Sequence, residues 1–168
     1  MRGFKEISPY ELENAMKLIG KDWMLITARD GEKVNAMTAS WGALGVLWNK
    51  CVCVSFIRPQ RHTFGLVEGE DRLSFAFLGE EHRDALRLCG RESGRDCDKL
   101  ALAGLHSELV GGVPVISEAR LVLVCKKLYA DDLKKECFID PALLSNYAAN
   151  DFHRMYVCEI EKAYIKDC

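Results

Sequence analysis

Short apolar, β-branched runs separated by turn residues dominate the chain from residue 23 onward. Residues 23–28 and 34–40 are two such runs, and Asp30-Gly31 between them suits a tight hairpin turn. Residues 51–57 and 72–78 share that texture, and two longer strand candidates, 120–128 and 152–165, close the chain. Helical spacing is confined to short stretches. Ser8-Pro9 supplies a cap and a first-turn proline, so a first helix is expected through Leu12, Met16 and Ile19 to Gly20, lying as a lid on the core. Residues 61–68 place Phe64, Leu66 and Val67 inward, and 80–91 is an amphipathic helix with Ala85, Leu86 and Leu88 on one side, stopped at Gly90. Residues 98–103 form a further helical piece, and 140–150 is a helical or irregular excursion between the last two strands. Five or six strands with short inserted helices, and no β-α-β rhythm, predict a mainly-β fold: a closed antiparallel barrel rather than a doubly wound sheet.

Composition narrows the function classes. The 168 residues read as one domain, with 23 Lys+Arg against 25 Asp+Glu and a net charge of -2, and no dense basic cluster points to nucleic acid. An apolar fraction of 49% excludes disorder. Unbroken apolar runs such as 121–125 fall far short of the roughly 18 residues of a membrane span, so no membrane partner is expected. The charged opening, Met1-Arg2-Gly3-Phe4-Lys5-Glu6, lacks the apolar stretch of a signal peptide, and a cytoplasmic location is the expectation. Eight cysteines then read as reduced thiols. There is no C-x-x-C pair, Cys51 and Cys53 share one strand face, and buried free thiols are expected. His62, His82, His106 and His153 are scattered without H-E-x-x-H spacing, and no metal is expected.

Neither G-x-G-x-x-G nor a Walker P-loop is present, nor a nucleophile elbow or kinase signature. Three clusters carry the remaining chemistry. Asn35-Ala36-Met37-Thr38-Ala39-Ser40-Trp41-Gly42 ends an apolar strand in small and hydroxyl-bearing residues, over which a flat ligand could approach the backbone. Ser55-Phe56-Ile57-Arg58-Pro59-Gln60-Arg61-His62-Thr63 leaves a strand and enters a helix with two guanidiniums and a hydroxyl, groups that suit a phosphate. A solvated turn with surface arginines fits those residues equally. Cys89-Gly90-Arg91-Glu92-Ser93-Gly94-Arg95-Asp96-Cys97-Asp98-Lys99 sets Arg95 and Lys99 four residues apart, as a second phosphate-sized basic site or as a plain capped loop.

Taken in order, N-x-M-T-x-S-W-G, R-P-x-R-x-T and C-G-x-x-S-G-R-D-x-D-K resemble the flavin reductase-like family with the FMN-binding split barrel, flavoredoxin-type proteins included. The resemblance covers about residues 20–165. It implies a single FMN-binding domain over 1–168, folded as a six-stranded antiparallel Greek-key barrel. It also implies a homodimer with FMN held non-covalently near the subunit interface. By that resemblance Asn35, Met37, Thr38, Ala39 and Ser40 line the isoalloxazine ring, and Ser55, Arg58, Arg61 and Thr63 hold the ribityl chain and phosphate. Ser93, Arg95 and Lys99 complete the phosphate or interface wall, and His153 is the late histidine beside the flavin.

The implied activity is an NAD(P)H-dependent flavin reductase, in which a hydride passes from NAD(P)H to FMN and electrons pass on to an acceptor. A flavoredoxin-type electron carrier reduced by a protein partner, and a non-catalytic FMN- or haem-binding protein, are the alternatives. Trp41 or Trp48 could shield a ring face. The chain departs from the family pattern at Trp48-Asn49-Lys50, where many members carry Pro-Pro, at Phe152, where an Asp often precedes the histidine, and at Cys158, often Gly.

Overall fold

A computed structural model describes residues 3–166. In chain order its strands are β1 (Phe4–Ile7), β2 (Met24–Asp30), β3 (Lys33–Ala39), β4 (Gly42–Leu47), β5 (Lys50–Ile57), β6 (Arg72–Phe77), β7 (Ser107–Val110), β8 (Val113–Ile116), β9 (Leu121–Asp132) and β10 (Arg154–Lys166). The α-helices are α1 (Ala15–Lys17), α2 (His62–Gly69), α3 (Arg83–Arg91) and α4 (Lys99–Leu102). Seven strands form one antiparallel path, β3-β2-β6-β9-β10-β5-β4, and β1 joins it on β10. A separate hairpin is formed by β7 and β8.

Three hairpins rest on left-handed turn residues. Gly31, with φ +57°, turns β2 into β3 at Gly31-Glu32, one residue later than expected, with Asp30 paired to Lys33. Trp48 and Asn49 have φ of +52° and +57° between the paired Leu47 and Lys50, the left-handed pair of a type I′ turn. The Trp48-Asn49-Lys50 departure is therefore the turn between β4, a strand absent from the sequence reading, and β5. Gly111 and Gly112 do the same for β7 and β8.

Alternating side chains give the sheet two buried faces. Met24, Ile26, Phe75, Phe77, Leu121 and Leu123 point into an inner core that also holds Cys53, Ile57 and Tyr156. Their neighbours Leu25, Ala76, Val122 and Val124 face outward, where Leu86 and Cys89 of α3, Leu100 of α4 and Val113, Val115 and Ile116 of β8 cover them. Burial on both faces explains why β2, β6 and β9 are nearly continuous apolar runs.

Four expectations change. The path holds seven strands plus β1 rather than six. It is also not closed by hydrogen bonds, since no ladder joins its ends, β3 and β4, among the described residues. The expected first helix breaks into a 3-10 turn at Pro9–Glu11, α1 and a π-helical turn at Leu18–Asp22. The Ser8 capping box forms with Glu11, but Asn14 adopts φ +56° and ends helical continuity. The helix expected over 80–91 opens as a 3-10 turn and runs through Gly90 to Arg91. Among the described cysteines all are free, as expected, but only Cys53, Cys89, Cys125 and Cys158 are buried; Cys51 and Cys97 are half-buried and Cys137 is exposed, and Cys168 lies outside the described residues.

The π-helical turn is held by a charged hub. Asp22 is buried and its carboxylate accepts from Lys17 at 2.8 Å and from Arg120 at 2.6 Å. Arg83 donates to the carbonyls of Lys21 and Asp22 at 3.1 and 3.3 Å and lies over the Trp23 ring at 4.6 Å.

Candidate functional site

At the free edge of β3, a cleft of about 230 Å³ opens between the end of β3 (Met37, Thr38, Ala39), Ser40-Trp41, Phe56 of β5, Arg58, Arg61, Gly90 and His153. Because β3 is the last strand of the path, alternate N–H and C=O groups along it have no strand partner on the side away from β2. Thr38 is pinned to α3 by a 2.6 Å hydrogen bond from its hydroxyl to the Leu86 carbonyl, which fixes that edge. Trp41 is 47% exposed and stands beside the His153 ring, centroids 5.2 Å apart. The cleft thus has a rigid backbone floor and an aromatic side.

Its basic wall continues from Arg61 into α4. The Lys99 side chain is 3% exposed, and its only hydrogen bond among the described residues is to the Cys89 carbonyl at 3.0 Å. Arg61 reaches the same carbonyl at 3.5 Å. Arg95 donates to the Gln60 carbonyl at 3.1 Å, and its backbone N–H donates to the Ser93 hydroxyl at 3.2 Å. Among the described residues none of Arg61, Arg95 and Lys99 forms an ion pair with a carboxylate. Burial, and then repulsion from Arg61, pull the Lys99 ammonium below its ordinary pKa despite the nearby Cys89 thiol. Burial also lowers Arg61. His62, beside Arg61 in the chain, has its Nε2 buried without a partner, and burial together with the charges of Arg95, Lys33 and Lys99 holds it below the usual histidine value. Gly94 closes the packing: a Cβ there would sit 2.3 Å from Asn35 Oδ1 and 2.9 Å from His62 Cδ2.

The thirteen residues expected at the site divide. Met37, Thr38, Ala39, Ser40, Arg58, Arg61 and His153 line the cleft. Asn35, Arg95 and Lys99 line a neighbouring open cavity of about 770 Å³ on the other side of the basic wall. Thr63 is buried and accepts from Asn35 Nδ2 at 2.7 Å, so it braces Asn35 instead of facing a ligand. Ser93 serves the Arg95 turn. Ser55 shares the face of Cys53 and Ile57, and its hydroxyl is buried in the barrel interior with no partner; Phe56, of opposite parity, lines the cleft. Arg58 is not a free cation. It pairs with Asp151, donates to the Asn146 carbonyl at 2.9 Å and lies over the Tyr147 ring at 5.3 Å. Gln60 also donates to Asp151, at 2.7 Å.

His153 is 8% exposed, and its Nδ1 lies 2.9 Å from the Tyr147 hydroxyl. Burial, and secondarily the Arg58 charge, push its pKa down to about 4, so the ring is uncharged at neutral pH. Tyr147, Asp151, Phe56 and Gly90 were not among the expected site residues. Phe56 was readable from strand parity; Tyr147 and Asp151 carry no local signal, because contacts with Arg58 about 90 residues away define them. Among the described residues no group of His, Cys, Asp or Glu is arranged to hold a metal, and no helix is long and apolar enough to cross a membrane.

Fold and cleft together define a mainly-β split-barrel protein with a cleft at the open edge of the sheet. The flavin reductase like domain matches residues 16–168, and the chain belongs to that family. An FMN-binding domain of a flavin reductases-like enzyme from Shewanella baltica is similar over 97% of this chain and 77% of its own, with a TM-score of 0.72 at 17% identity. A flavoredoxin from Methanosarcina acetivorans gives 0.68 at 21% identity, covering 86% of this chain and 68% of its own. An FMN-binding protein from Thermus thermophilus, with bound p-hydroxybenzaldehyde, gives 0.69 at 22% identity, covering 99% and 82%. No curated protein matches the chain.

Proposed function

We propose that this chain binds FMN in the cleft and acts as an NAD(P)H-dependent flavin reductase. The observation that carries the reading is Lys99, a buried ammonium with no carboxylate in direct contact among the described residues, set beside Arg61 on one carbonyl. A buried cation without a counter-ion is costly, and an anion arriving from solution relieves the cost. A phosphate ester fits that wall, and a flat ring attached to it fits a cleft floored by the free edge of β3 and flanked by Trp41 and His153. Names of structural neighbours that bind FMN point the same way. Bound flavin supplies the hydride-accepting chemistry. The chain's own tasks are then to grip the phosphate with Arg61 and Lys99, to offer backbone donors from Thr38 to Ser40 at the ring edge, and to exclude water with Trp41 and Phe56.

A homodimer belongs to the same proposal. At about 230 Å³ the cleft is smaller than the roughly 300 Å³ lower end of ligand pockets, and Trp41 leaves it open on one side. A second subunit would supply the missing wall. Light scattering of the FMN-loaded protein reads this directly, and a monomer at high micromolar concentration refutes it.

The deciding experiment is an absorption spectrum of protein loaded with FMN, before and after anaerobic addition of NADH and of NADPH. Bleaching of the flavin band by either supports the reductase. A flavin band that neither nucleotide bleaches overturns it in favour of a carrier reduced by a protein partner, and failure to retain FMN overturns the cofactor itself.

A further inference from the structure

His153 is held on several sides. Its carbonyl accepts from the Leu133 N–H at 2.9 Å, the Tyr147 ring meets it edge-on at 5.5 Å, and Trp41 tilts against its cleft side. Tyr147 is itself fixed: it stacks on Phe152 with centroids 4.7 Å apart, meets Phe138 at 5.7 Å, and carries the Arg58 guanidinium over its face. The Tyr147 hydroxyl has one hydrogen-bond partner among the described residues, His153 Nδ1. The other ring nitrogen, Nε2, has no protein partner among the described residues and is not sealed from solvent, and the residue lines the cleft.

We propose that Tyr147 is a positioning residue that fixes the tautomer of His153, donating its phenol proton to Nδ1 so that Nε2–H is offered to the cleft as an uncharged donor. A phenol is a far better donor than acceptor toward a neutral imidazole, and the tautomer of a histidine follows the bond its other nitrogen makes. Burial first, and then the charged groups facing the pair, keep the imidazole neutral. Arg58 lies over Tyr147 and disfavours a second cation on His153, while Asp151, which would favour one, is spent on Arg58 and Gln60. On the cleft side Arg61 adds another positive charge. Burial keeps the Tyr147 phenol protonated by raising its pKa. The cleft therefore receives one donor of fixed position, rather than a ring that alternates between donor, acceptor and cation. Use of that donor toward an FMN ring rests on the FMN reading; the tautomer does not.

The test is ring ¹⁵N correlation spectroscopy of histidine-labelled apoprotein, with the His153 signals assigned by their loss in His153→Gln. The wild-type ring should have a bare Nδ1 and a protonated Nε2, and should stay neutral down to about pH 5. In Tyr147→Phe the same ring should populate both tautomers. A wild-type Nδ1–H tautomer, or a single unchanged tautomer in Tyr147→Phe, overturns the proposal. The wild-type spectrum alone decides if that variant does not fold. Adding FMN separates the two readings: a shifted Nε2–H resonance, with FMN affinity about 2- to 10-fold weaker in Tyr147→Phe, supports the donor's use. FMN that binds without moving that resonance removes this use, and FMN that does not bind removes the cofactor reading, while the tautomer stands in both cases.

Discussion

The cations around Asp22 and those around Lys99 differ in one respect, direct pairing with an acid: Glu92, whose charge reaches Lys99, is paired with Arg91 instead. At the hub, Lys17 and Arg120 converge on a buried carboxylate, and Arg83 pairs with Glu80 while holding adjacent carbonyls, so each cation has an acid in direct contact. At the wall, Arg61, Arg95 and Lys99 find only carbonyl oxygens, and His62 keeps a buried nitrogen unpartnered. A folded chain tolerates the first arrangement as structure. The second is a cost in the absence of a ligand, and it marks where an anion is expected.

That contrast can be broken in several ways. Lys99→Met should weaken FMN about 10- to 150-fold, equivalent to about 1.5–3 kcal/mol, in a fluorescence titration, and leave riboflavin binding almost unchanged. Its apoprotein should be as stable as the parent or more so, because an unpaired buried charge has been removed. An unchanged FMN affinity would sink the division between the two clusters. Asp22→Asn should do the opposite, lowering stability in urea by about 1–3 kcal/mol while the folded fraction binds FMN normally; the cost stays moderate because Lys17 and Arg120 can rehydrate. Gly94→Ala, whose Cβ would collide with Asn35 and His62, should cost at least about 1 kcal/mol and distort the wall, read as a lower melting temperature together with weaker FMN binding. Arg83→Met should lower stability by about 1 kcal/mol, through loss of the Trp23 face contact and of the hydrogen bonds to the Lys21 and Asp22 carbonyls, with no effect on the cleft.

How far the sequence could foresee these clusters depended on the range of the contacts. The motif ending β3 was legible as a cleft edge because the feature that lines the cleft is backbone at a strand end, and a strand end is a local property. Arg61 and Lys99 were legible as basic residues flanking helices. Arg58 lines the cleft as expected, but its pairing with Asp151 was not legible, because Asp151 is 93 positions away and nothing near Arg58 announces it. Ser55 was misplaced for a different reason: counting from Cys53 and Ile57 puts it on the core face, a signal that was present and outweighed by its hydroxyl. The strand β4 escaped because Gly42 and Gly45 interrupt its apolar pattern, and the break after Glu11 escaped because one left-handed Asn14 undoes a helix that capping alone supports.

β10 has a consequence for the order of assembly. It lies between β9 and β5 in the path, and its other edge is shared between β5 at Arg154–Glu159 and β1 at Ala163–Lys166, with a register shift against β9 at Ile160/Lys162 between the two. Without β10, the β4–β5 hairpin has no ladder to the rest of the sheet, and the edges of β9 and β5 stand open. The strand that unites the molecule is the last of the described chain, paired with residues about 100 and 160 positions earlier, so loop-closure entropy makes the join slow. A nascent chain halted before residue 154 should therefore expose two sheet edges to neighbouring chains, and His153 should reach the cleft only in the closing step of folding.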